Sequence, residues 1–160
     1  MTCTDLTFQT GYLTTREINI WSLRNILGSQ SKIARRLDVS RQAIHKALLT
    51  IDKKIEYALK EAASTNNLEI RRLDVVHGLM QAYSPAYQIP VIVSLSKVNG
   101  LKVWYLYEGN CKECNRNVEC MELLELEAHE RGFVIGDHTM SPSNLAKTMF
   151  LDVYKEESGG

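Results

Sequence analysis

Apolar residues recur at helical spacing early in the chain. Ile18, Trp21, Leu23, Ile26 and Leu27 predict a first helix from about Arg16. Thr14 or Thr15 can cap its start and Gly28 can stop it. Ile33, Ala34 and Leu37 predict a short second helix over Lys32–Leu37, with Ser29 or Ser31 at its cap. Asp38-Val39 makes a tight corner. Ser40 then caps a third helix running to about Ser64, because no Gly or Pro interrupts it. From Leu68 the period changes. Leu68–Val75, Gln88–Lys97 and Leu101–Tyr107 are rich in β-branched and aromatic residues and predict strands, the last two joined by a hairpin at Asn99-Gly100. Tyr83, Pro85, Tyr87 and Pro90 suggest an ordered loop before the second of these strands. Val118–Arg131 predicts a helix, Phe133–Ile135 a short strand, and Ser141-Pro142 the start of a last helix through about Val153. Residues 1–13 show no period and read as an arm. The fold class is α+β, with helical residues 1–64 followed by a small antiparallel-sheet domain with packed helices over 65–160.

A short helix, a tight corner and a second helix form a helix-turn-helix, here the core of a tri-helical unit with a long third helix. The turn of this motif often carries Gly; Asp38 stands there instead and tolerates a left-handed backbone better than most residues. On a wheel of about 100° per residue centred on Ile44, Ala47, Leu48 and Ile51 face inward. Gln42 and Lys46 then lie opposite, with Arg41 and His45 on one flank. In this motif that polar helix start enters the DNA major groove. Gln pairs with adenine, Arg or Lys reaches guanine or phosphate, and Ser40 with the free amides of the helix start can hold a phosphate. Lys32, Arg35 and Arg36 add backbone contacts that position the protein without reading sequence. The stretch "SKIARRLDVSRQAIHKAL" resembles helix-turn-helix transcriptional regulators, especially compact archaeal ones that join such a module to a small sensory domain. The resemblance covers residues 15–60 and implies DNA binding by Ser40, Arg41, Gln42, His45 and Lys46.

Ile44, Leu48, Ile51, Ile55, Ala58 and Ala62 step by alternating fours and threes, a seven-residue repeat. Leu48, Ile51, Ile55, Ala58 and Ala62 are therefore the expected interface of a homodimer, which would suit a palindromic site on double-stranded DNA. The competing expectation is that the same stripe covers the C-terminal sheet.

"CKECNRNVEC" places Cys111, Cys114 and Cys120 in a C-x2-C-x5-C run. Crowded thiols in a cytosolic chain favour metal or redox chemistry over a structural disulfide. The spacing resembles the last three ligands of iron–sulfur sites in some DNA glycosylases and in actinobacterial WhiB-like regulators, which implies a [4Fe-4S] cluster with Cys3 as fourth ligand. Zinc held by the three cysteines and His129 or His138 is the alternative. Thiols that form a disulfide on oxidation are a third.

Composition bounds these readings more than it extends them. The 160 residues carry zero net charge, yet residues 1–64 hold an excess of four basic side chains and residues 65–160 an excess of four acidic ones. A basic front and an acidic back suit a nucleic-acid-binding module joined to a partner domain. No apolar run reaches the roughly 18 residues of a membrane span, and no basic-then-apolar leader opens the chain. The expected location is cytoplasmic, without membrane partners. No nucleophile elbow and no phosphate loop is present, and the histidines show no catalytic spacing. The combined expectation is a non-enzymatic, dimeric DNA-binding regulator with a metal- or redox-sensing back domain. The rivals are a zinc-stabilised adaptor and a nucleic-acid-modifying enzyme delivered by the DNA-binding module.

Overall fold

The computed structural model describes residues 11–107 and 109–156, with side chains through residue 151. The described chain is α+β, with α1 (Thr15–Leu27), α2 (Gln30–Leu37), α3 (Arg41–Thr65), β1 (Glu69–Asp74), β2 (Leu79–Ser84), β3 (Ile89–Ser96), β4 (Gly100–Tyr105), α4 (Asn117–Glu130) and α5 (Pro142–Glu156). The four strands form one antiparallel meander in the order β1-β2-β3-β4. Helices cover both of its faces.

Local chemistry sets the helix ends. Thr14 and Glu17 form a reciprocal capping box on α1, and Gly28 ends that helix in the left-handed conformation at φ 65°. Asp38 does the same for α2 at φ 53°, its amide donating to the carbonyls of Ala34 and Arg35. The short, unbranched polar side chain of Asp makes this backbone tolerable where a β-branched residue would be strained. Ser40 Oγ accepts from the Ala43 amide and caps α3.

Side-chain alternation along β2 and β3 builds two cores. Met80, Ala82, Val91, Val93 and Leu95 face α3. Leu79 and Ile92 face Leu124 and Ala128 of α4 and Leu145, Met149 and Phe150 of α5. The first core runs without interruption from Ile18 and Trp21 through Ile33 and Ile44 to the sheet, so it does not divide at residue 64. Leu13, at the end of the expected arm, is buried in it, and Tyr12 Oη donates to Glu61 at 2.7 Å.

The seven-residue stripe is not a dimer seam. Leu48, Ile51, Ile55, Ala58 and Ala62 are each at most 7% exposed within the single chain. They cover one apolar sheet face, and the spacing that suits a partner helix suits a sheet equally well. Two other expectations also fail. β2, over which the spacing predicts no strand and whose Tyr83 falls in the expected ordered loop, is a central strand paired on both sides. Residues 133–135 form no strand; instead the Phe133 amide closes the end of α4 on Ala128 O at 2.9 Å, while Phe133 and Ile135 pack against the second core.

Gly78 stands where α1 meets the sheet. Its φ is +66°, and a Cβ there would lie 2.7 Å from Leu95 O and 3.0 Å from the Trp21 ring. Gly78→Ala should therefore lower unfolding free energy by about 2–4 kcal/mol, combining left-handed strain with a forced shift of Trp21. Ile55→Ala should cost about 2–5 kcal/mol. Because the site is interior, chemical denaturation of this variant should be independent of protein concentration; concentration dependence would restore the dimer seam.

Candidate nucleic-acid interface

The tri-helical unit presents one polar surface. Lys32, Arg35 and Arg36 on α2, and Ser40, Arg41, Gln42, His45 and Lys46 at the start of α3, are all exposed. Nothing from the described residues of the second half of the chain covers them. The inward residues Ile33, Ala34, Ile44 and Leu48 are buried, so the wheel drawn from sequence has the correct phase. Ser40 spends its hydroxyl on its own helix cap, which leaves the amides of Arg41 and Gln42 as the first-turn donors that can meet a phosphate. One neighbour was not legible from sequence. Gln30 Nε2 sits 3.4 Å from His45 Nδ1 and ties the start of α2 to the polar face of α3.

Three contacts fix the orientation of this face. Lys54 Nζ donates to both Glu17 oxygens at 2.8 and 2.9 Å. Arg24 Nη1 donates to Asp52 Oδ1 at 2.7 Å, and Trp21 Nε1 donates to Val76 O at 3.0 Å. The first two lock α1 to α3, and the third locks α1 to the β1–β2 turn. Burial pushes the Glu17 carboxyl up, but the Lys54 ammonium with the Thr14 amide and hydroxyl outweighs it and holds the group below the usual carboxylate range.

The cysteines lie elsewhere, against α4 and α5. Cys111 and Cys114 share one turn, in which the Cys114 amide donates to Cys111 O at 3.3 Å. Asn117 Nδ2 also donates to Cys111 O, at 2.7 Å, and Cys111 Sγ is 3.9 Å from the Ser143 hydroxyl. Cys120 is on the first turn of α4, where burial pushes its thiol up against the opposing pull of Arg116. Cys114 is exposed and the other two are half-buried. Among the described residues, no three His, Cys, Asp or Glu side chains converge on a point that would hold an ion. His129 cannot complete the set. It follows Cys120 by nine residues of the same helix, about 13 Å along its axis. His138 is exposed between α4 and α5, and Cys3 lies outside the described residues.

No protein-family model, curated protein or solved structure gives a significant match to this chain.

The Glu17 contact yields a pH prediction. A carboxyl lowered in the folded state stabilises the protein above its unfolded value of about 4.3 and loses that contribution as pH falls through the lower folded value. Unfolding free energy should fall as pH drops from about 5 to 3, and Glu17→Gln should flatten that slope. Urea titrations at stepped pH check both.

Proposed function

We propose that the protein binds double-stranded DNA through α2 and α3 and acts as a transcriptional regulator. It works by binding, without catalysis, and the segment holding Cys111, Cys114 and Cys120 is its candidate signal input. One observation supports this reading above the others. The eight polar residues nominated on α2 and the start of α3 are all uncovered, while the apolar residues interleaved with them are buried. An ordinary solvated helix face needs no such concentration of bidentate donors beside a free helix start.

The roles divide by reach. Gln42 and Lys46 read base edges, a good bidentate pair being worth about 1–3 kcal/mol of discrimination. Lys32, Arg35 and Arg36 grip phosphates, and each such contact adds about 0.9 to the salt dependence of log K. Gln42→Ala with Lys46→Ala should weaken binding to a site selected from random duplex DNA by about 10- to 100-fold, with unfolding free energy unchanged because both residues are exposed. Arg35→Ala with Arg36→Ala should weaken all duplexes alike and lower the salt slope. Fluorescence anisotropy across a salt series measures both. Wild-type affinities left intact by both pairs of substitutions would remove the DNA reading.

The cysteine segment carries a separate test. In protein prepared without air, metal analysis and an absorption spectrum should show a cluster or one zinc per chain, lost in Cys114→Ser. Metal-free protein with all its thiols titratable would leave thiol oxidation as the input chemistry.

A further inference from the structure

The two edges of the sheet are built differently. β1 carries the exposed charges Glu69, Arg71 and Arg72, and its pairing with β2 is irregular between Ile70 and Arg72. Charge and a bulge keep an edge strand from pairing with another chain. β4 has neither protection. Its register against β3 is regular from Gly100 to Tyr105, and Lys102 is its single charged residue.

The ladder fixes which backbone groups point outward. The Leu106 amide donates to Pro90 O at 3.0 Å, and the Leu95 amide to Gly78 O at 2.8 Å. Because bonding alternates along an antiparallel strand, Gly100, Lys102 and Trp104 turn their backbone groups to β3, and Leu101, Val103 and Tyr105 turn theirs away. Of these outward groups, only the Tyr105 carbonyl has a partner among the described residues, the Tyr107 amide at 2.8 Å. The side chains of Leu101, Val103 and Tyr105 lean half-buried on the α3 core, and those of Lys102 and Trp104 lie on the opposite face.

We infer that β4 is a contact between two copies of this chain, paired antiparallel about a twofold axis at Val103, so that two four-stranded sheets join into one. This register sets Leu101 against the partner's Tyr105 and Val103 against the partner's Val103. Every outward amide of β4 then finds a carbonyl. Moving the axis to Lys102 or Trp104 leaves an outward residue with no mate inside the strand, and the first of these also sets Lys102 against its own copy. With the axis at Val103, Lys102 stands across from the partner's Trp104 in the closer, non-hydrogen-bonded kind of pair, where its ammonium can lie over the indole ring. Tyr87, 69% exposed, meets the Tyr105 ring edge-on at 5.6 Å and extends the apolar contact toward the partner's Leu101. A seam of one strand pair lies at the small end of interfaces, below about 1,200 Å², and its Kd is on the order of 100 µM. Denaturation at low micromolar protein therefore reports the monomer. The inference rests on strand geometry and not on DNA binding.

The test is sedimentation equilibrium of the full chain under reductant, so that no disulfide links two copies. Between about 10 µM and about 1 mM protein, the average mass should rise from 18.2 kDa toward twice that value. In 15N spectra over the same range, the amides of Leu101, Val103 and Tyr105 should shift together. Val103→Pro removes the central outward N–H and no bond to β3, at a position where an edge strand accepts proline. It should lower the association constant at least about tenfold, since both copies lose a hydrogen bond. Lys102→Glu should lower it about fivefold and Lys102→Arg leave it near wild type, which keeps the test open if the proline variant does not fold. A mass of one chain at about 1 mM overturns the proposal and leaves the edge to a peptide of another protein. Association that survives both Val103→Pro and Lys102→Glu, or shifts confined to other elements, overturns it as well.

Discussion

The structure is organised by the burial of one stripe of α3 against one face of the sheet. Ile44 and Leu48 close the tri-helical unit, and Ile51, Ile55, Ala58, Leu59 and Ala62 continue along the same helix to cover β2 and β3. Each large aliphatic so buried contributes about 1.5–3 kcal/mol relative to exposure. Remove that contact and the strands keep one bare apolar face while the long helix keeps another. Neither half has a substitute cover among the described residues. The exposed polar surface depends on the same contact, since burying one side of α3 is what forces Arg41, Gln42, His45 and Lys46 to the other.

What could be read from sequence followed how local each determinant was. The capping box at Thr14, the stop at Gly28, the left-handed Asp38 and the Ser40 cap are decided within four residues, and the first three helices emerged from spacing alone. The phase of α3 was legible for the same reason. What covers its apolar stripe was not, because a wheel shows that a face is apolar and says nothing about whether a helix or a sheet lies on it. β2 was hidden by its residues. Leu79, Met80, Gln81 and Ala82 have ordinary helical preferences, and they become a strand through pairing with β1 and β3 on both sides. The contacts that tie α1 and the end of α4 to the sheet were beyond reach as well, since they join positions 32 to 55 residues apart.

The end of α4 shows a second, smaller constraint. Glu127 is fully buried and Arg131 nearly so, an arrangement whose desolvation is offset only when every donor and acceptor finds a partner. Here each does. The guanidinium reaches two carbonyls beyond its carboxylate, Asn99 Nδ2 bridges Leu123 O at 2.7 Å and Glu127 at 3.4 Å, and the Phe150 ring lies 5.9 Å beneath the Arg131 charge. The result is directional. It fixes the β1–β2 turn, the β3–β4 hairpin and α4 at one corner of the sheet, next to the turn that Trp21 also grips.

The 25 residues of α3 form one unbroken rod of about 37 Å, free of Gly and Pro from Arg41 to Thr65. One end is a strut inside the protein and the other is the exposed basic tip. A lever of that length converts an inclination of about 3° at the sheet into a displacement of about 2 Å at the tip. With no joint along the way to absorb it, whatever re-seats the back half steers the front half in the same stroke.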